Sequence, residues 1–123
     1  MNQYRNTEKD IHNRIYKFII NCFREIVRKI PRTPENIPII GQISSSLTSM
    51  GANDQEADAA FSRKDFIAKY SIVRKETRET HYWLSIIGDT NILNIHIVEP
   101  YLTECEKIRN IVSKIIENTK GIH

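Results

Sequence analysis

Apolar residues at Ile11, Ile15, Phe18, Ile19, Cys22, Ile26 and Ile30 recur at spacings of three and four, so they line one face of a helix. Thr7 followed by Asp10 has the form of a capping box at its start, and Pro31 with Pro34 halts it. A second helix is expected from about Asn36 to about Asn53, with Pro38 tolerable in the first turn and Ile37, Ile40, Ile43, Leu47 and Met50 as its apolar face. The stretch 51–60 holds Asp54, Glu56 and Asp58 without a cation and reads as an acidic connection or a frayed helix end. Ser62 with Asp65 opens a third helix, along which Phe66, Tyr70, Val73, Thr77, Thr80, Leu84 and Ile87 alternate spacings of four and three without a break. That is the seam of a bundle packed in the manner of a coiled coil. Gly88-Asp89 ends it. A last helix runs from about Ile95 to about Asn118 through Val98, Leu102, Cys105, Ile108, Val112 and Ile115, with Pro100 near its first turns and a frayed tail from Lys120.

Four helices with short connections predict an all-α fold, an antiparallel up-down four-helix bundle occupying the chain as one domain, 1–123. A length of 123 residues allows one core and not two. With only four glycines and four prolines there is little turn material for a sandwich or barrel, and 40% hydrophobic residues are too many for a disordered chain. No apolar run is long enough for a secretion signal or membrane span, so no membrane partner and a cytoplasmic location are expected. Cys22 and Cys105 fall on apolar faces, where reduced core thiols are expected rather than a disulfide.

Two helices carry a second side of low charge. Between Glu35 and Asp54 no residue is charged, and Gly41, Ser45, Thr48 and Ala52 recur at helical spacing away from the apolar face. A helix with no charged side has no fully solvated side, unless it is simply a Ser-rich helix facing water. On the third helix Ala68, Ile72, Trp83 and Ile86 form a second apolar stripe. A lone bundle needs one buried side per helix, so Gly41, Ser45, Thr48, Ile72, Trp83 and Ile86 are candidate contacts of a homo-oligomer.

Charge is distributed unevenly. The net charge is +3, with six basic and two acidic residues from Asp10 to Arg32, four acids and no base from Thr33 to Ala60, and six basic and three acidic from Phe61 to Gly88. Lys17, Arg24 and Arg28 lie along one side of the first helix. On the third, Arg74 and Arg78 are one turn apart, with Tyr82 a turn further and Lys64 and Lys75 nearby. A basic stripe ending in an aromatic is the pattern of a phosphate track with a stacking platform, so these eight residues are the candidate nucleic-acid contacts. The alternative is a solvated face paired with Glu76, Glu79 and the acidic stretch.

Signatures of catalysis are missing. There is no Walker loop, dinucleotide fingerprint, nucleophile elbow or zinc-protease motif. Ser44-Ser45-Ser46 lacks the flanking glycines of an elbow and reads as small packing residues. A di-iron bundle needs Glu-x-x-His pairs, whereas Glu79 and His81 point to different faces. His12, His81, His96 and His123 show no ligand spacing, so neither metal nor cofactor is expected.

The stretch from Ser46 to Leu84 resembles the central signature of the four helix bundle proteins, also called 23S rRNA-intervening-sequence proteins. The resemblance rests on Thr48-Ser49-Met50-Gly51-Ala52-Asn53 with Glu56-Ala57, on Ser62-Arg63-Lys64-Asp65-Phe66-Ile67, on Arg78-Glu79-Thr80 with Tyr82-Trp83-Leu84, and on Glu99-Pro100-Tyr101-Leu102 opening the last helix. After Gly-Ala-Asn, members often carry a bulky residue and then a basic one, where this chain has Asp54 and Gln55. The resemblance implies a four-helix bundle assembling as a homopentamer with no established enzymatic activity. It also implies contexts near RNA: some members are encoded within large-subunit ribosomal RNA genes, and a related branch is the accessory protein of a reverse transcriptase in diversity-generating retroelements. Asn53, Glu56, Arg78 and Glu79, polar members of the motif, are read as a hydrogen-bonded network that caps the second helix, with a ligand pocket as the alternative.

Two functions from different classes follow. One is a nucleic-acid-associated, RNA-binding scaffold whose repeated weak surfaces act by avidity. The other is a protein-interaction or structural bundle without nucleic-acid contact.

Overall fold

The computed structural model of the protein describes residues 10–121. Four helices follow in chain order: α1 (Ile11–Glu25), α2 (Ile37–Asp58), α3 (Arg63–Asp89) and α4 (Ile95–Lys120), with a short 3-10 turn, Val27–Lys29, between the first two. Among the described residues there is no strand. Each helix packs against its chain neighbours, α1 also packs against α4, and in the diagonal pairs α1/α3 and α2/α4 no two Cα atoms come within 8 Å. Contacts along the pairs run in opposite directions, as Ser46 with Thr80 and Asp54 with Tyr70 show for α2 and α3. The all-α four-helix bundle expected from the periodicity is the observed fold.

The core follows that periodicity closely. All seven residues of the α3 seam are fully buried, and they meet Ile11, Ile15, Phe18 and Cys22 of α1, Ile43, Leu47 and Met50 of α2, and Val98, Cys105, Ile108 and Val112 of α4 in the interior. Thr77 and Thr80 sit in the seam because their hydroxyls donate to carbonyls four residues back in the same helix, at 2.7 and 2.9 Å from Val73 and Glu76. Helix starts use side-chain oxygens. Ser62 accepts from the Asp65 N–H and Asn94 from the His96 N–H. At α1 the cap is Asp10, in left-handed geometry, accepting from the Asn13 N–H; Thr7, expected to open this helix, lies outside the described residues.

Two boundaries and one core assignment differ from the sequence reading. The first helix stops at Glu25, not Ile30: Ile26 leaves helical geometry and the chain continues as a 3-10 turn. Ile26, Val27 and Ile30 are nevertheless buried, so the apolar period there reports burial and not one continuous helix. The stretch 51–60 is not an acidic connection, because α2 continues through it to Asp58 and only 59–62 join it to α3. Gly51 is therefore a helix-interior glycine. A Cβ there would stand 3.0 Å from the Ile19 Cδ1, so its absence sets how closely α1 approaches α2. Finally, Ile37 is half exposed and not part of the core.

Both cysteines are fully buried free thiols. Burial pushes the Cys22 thiol up to about 12. Cys105 is pushed up as well, by burial first and by nearby Cys22 second, and its Sγ lies 3.1 Å from the Thr77 carbonyl oxygen.

Candidate functional site

Fully buried on α3, Tyr70 donates its hydroxyl to Oδ1 of Asp54 on α2 at 2.8 Å. The other carboxylate oxygen of Asp54, 1% exposed, lies 2.6 Å from Nδ1 of His12 on α1. Gln55 Nε2 approaches the far ring nitrogen of His12 at 2.9 Å. If the Gln55 amide donates to Nε2, Nδ1–H is the group that donates a hydrogen bond to the carboxylate. The three side chains tie three helices together through one buried acid. Around His12 and Gln55 opens a mostly apolar hollow of about 260 Å³, walled by Ile15, Ile19, Gly51 and Ala52. The sequence reading gave His12 no ligand spacing and left Asp54 in an acidic connection or a frayed helix end. A signal was present: Asp54 and Ala57 continue the register of Ile43, Leu47 and Met50, which places a carboxylate at a core position.

The basic candidates do not form one surface. Because α1 and α3 stand diagonally across the bundle, the stripe of Lys17 and Arg24 and the stripe of α3 face away from each other. Arg28 does not belong to the first stripe at all, since it rides on the 3-10 turn beyond the end of α1. On α3, Lys64, Lys75, Arg78 and Tyr82 are exposed and Arg74 is half-buried. Ion pairs of the described residues join Arg14 to Glu104, Lys29 to Glu25, Lys69 to Glu56 and Lys120 to Glu117, and none involves Lys64, Arg74, Lys75 or Arg78. Glu76 and Glu79, expected as counter-charges, also interact with each other: a hydrogen bond to Glu76 is the main reason the Glu79 carboxyl is held above the usual carboxylate range, while the charge of Lys75 pulls it the other way.

Asn53, Glu56, Arg78 and Glu79 are not gathered into one network. Asn53 donates to the Ser49 carbonyl within α2 at 3.0 Å, and Glu56 reaches Lys69 of α3 at 3.1 Å. Arg78 and Glu79 are exposed elsewhere on α3. No cap is needed at Asn53, because α2 does not end there. The buried polar links between α2 and α3 come from Ser46 with Thr80, 2.8 Å apart, and from Asp54 with Tyr70.

Gly41, Ser45 and Thr48 are exposed on α2, and a Cβ added at Gly41 would meet nothing within 4 Å. Ile72, Trp83 and Ile86 are half-buried, and Trp83 packs against the core edge while meeting Tyr82 edge to face at 5.0 Å. Trp83 lies two heptads beyond Lys69, whose bond to Glu56 marks the side of α3 turned toward α2, whereas Thr48 stands on the α1 side of α2, lining the hollow with His12 and Ile19. Among the described residues no cluster of His, Cys, Asp and Glu is arranged to hold a metal ion. No described helix is long and apolar enough to cross a membrane.

Comparison with known proteins agrees with this architecture. A crystal structure of a protein with unknown function from the S23 ribosomal protein family of Bacteroides thetaiotaomicron superposes with a TM-score of 0.80, at 29% identity over 87% of this chain and 98% of that one. No curated protein matches. The profile of the 23S rRNA-intervening sequence protein family matches residues 7–114, which include α1, α2, α3 and most of α4. The chain therefore belongs to the 23S rRNA-intervening sequence protein family.

Proposed function

We propose that the protein is a non-enzymatic, oligomeric scaffold of the cytoplasm that holds nucleic acid, RNA foremost, on the basic side of α3. One observation carries the reading: Lys64, Arg74, Lys75 and Arg78 line this helix with no close ion pair to a carboxylate among the described residues, only Lys75 feeling the charge of nearby Glu79, and the line ends at exposed Tyr82. Unpaired cations at helical spacing suit a run of phosphates, and arginine matches phosphate geometry. The family's name supports an RNA setting, and service beside a reverse transcriptase belongs to the same reading.

Assembly is part of the proposal. Four cations make a weak site, and a homopentamer joined through α2 and α3 repeats it so that avidity compensates. Only a neighbouring copy can bring the Lys17–Arg24 side of α1 alongside an α3 stripe, because within one chain they are diagonal. Gel shifts with structured RNA and with single-stranded DNA across a salt series test the binding, which is expected to weaken steeply with salt. Reversing Arg74 and Arg78 to Glu is expected to abolish it without changing the mass measured by light scattering. Absence of binding at low salt by the intact oligomer overturns the reading, and a monomer mass at micromolar concentration overturns the assembly.

A further inference from the structure

Building on the nucleic-acid reading of α3, we propose that this helix carries a single-strand track headed by Phe61, whose ring stacks on an unpaired base. Phe61 lies in the short connection between α2 and α3 and is 99% exposed, compared with 59% for Tyr82. A lone exposed hydrophobe needs no explanation. What distinguishes this one is its position at the end of a line of cations. Lys64 follows within a turn, at the positive end of the α3 dipole, and Lys75, Arg78 and Tyr82 continue on the same side at helical spacing. Glu76 falls one heptad beyond Lys69 and so lies on the side turned toward α2, off this line. The track thus has an aromatic at each end and cations between, with Glu79, one turn beyond Lys75, as a carboxylate beside it.

The occupant follows from that chemistry. A second copy of this chain is disfavoured, because a contact along the line would bury unpaired positive charge against a subunit of net charge +3. A nucleic-acid strand brings negative charge and π faces together. From Phe61 to Tyr82 the helix rises about 30 Å, room for roughly nine nucleotides at the 3.4 Å stacked spacing. A duplex hides its base faces, so it engages the cations alone, whereas an unpaired strand engages the rings as well.

The test is fluorescence anisotropy of the full-length protein with a labelled oligoadenylate of about twelve nucleotides and with the same strand in a duplex. The single strand is expected to bind more tightly, and Phe61→Ala to weaken it roughly tenfold with little effect on the duplex. The salt slope is expected to stay unchanged in Phe61→Ala and to shrink in the single, milder Arg78→Gln variant, because a ring releases no counterions. Circular dichroism of Phe61→Ala is expected to match the parent, since the ring covers nothing. Equal binding of strand and duplex, with Phe61→Ala neutral, overturns the stacking inference and leaves the basic surface standing. Failure of the parent to bind either probe at low salt overturns the functional reading and this inference together. A smaller mass for Phe61→Ala in light scattering, with binding unchanged, assigns Phe61 to a subunit contact and also overturns it.

Discussion

α3 buries an apolar seam along its whole length of 27 residues and packs extensively on both α2 and α4. α1, also amphipathic and basic, has 15 residues and packs more lightly on its two neighbours. Polar links supplement that packing, chief among them His12 to the buried Asp54, and Arg14 to Glu104 through a two-pronged pair at 2.7 and 2.9 Å. The contrast teaches that similar amphipathic patterns can be anchored differently. The seam depends on packing density, which is hard to relax once broken, whereas α1 depends in part on a few directional bonds. α3 is therefore the rigid element on which a binding surface is best carried, and α1 is the element expected to open first.

Truncating the seam should have the largest effect. Leu84→Ala removes a fully buried side chain and is expected to cost about 2–5 kcal/mol in urea unfolding. A loss below about 1 kcal/mol would mean that the seam relaxes easily and that the contrast is misplaced. Asp54→Ala comes next, because it takes the acceptor from Tyr70 and from His12 at once. About 2–3 kcal/mol is expected, with the amide exchange of α1 accelerated well beyond that of α3. Uniform acceleration across all four helices would show that the acid serves the core as a whole and not the docking of α1.

The buried thiols sharpen the comparison through pH. Cys22 is pushed up to about 12 in the folded protein, while the unfolded thiol titrates near 8.5. The stability it confers is complete below about pH 8.5 and is lost as pH rises toward 12, by about 1.4 kcal/mol per pH unit across that window. Urea midpoints measured from pH 8 to 10 should fall accordingly. In the same samples a thiol reagent should reach Cys22 of α1 before Cys105 of α4, and the reverse order would show that α4 opens first. The smallest effect belongs to Arg14→Ala: both partners are about one-third exposed, so solvent screening limits the loss to about 0.5–1 kcal/mol, measurable by the same urea titration.

How much of this was legible along the chain depends on the range of the forces involved. The seam from Phe66 to Ile87, the Ser62 cap and the bundle class followed from spacing, because burial of one helix face leaves a repeat that any window of the sequence displays. The same repeat misplaced the end of α1, since Ile26 and Ile30 are buried without being helical, and period reports contact with the core more faithfully than backbone geometry. Acidic composition left 51–60 open between a connection and a helix end, and it is the end of α2. Asp54 sits inside α2 because Tyr70 and His12, distant in sequence, are there to satisfy it.

By itself, then, the sequence determined the class of fold, the membership of each helix in one core, and which side chains are basic, because these follow from composition and local periodicity. Only the tertiary structure decided that α1 and α3 are diagonal, so that two stripes that look like one surface on paper face opposite ways. It also decided that His12, Asp54 and Tyr70 meet, and that Phe61 stands clear of its own chain. The reason is common to all three. Which helix lies beside which, and what a side chain finds there, is fixed by the packing of four faces together and leaves no trace in the spacing of residues along any one of them.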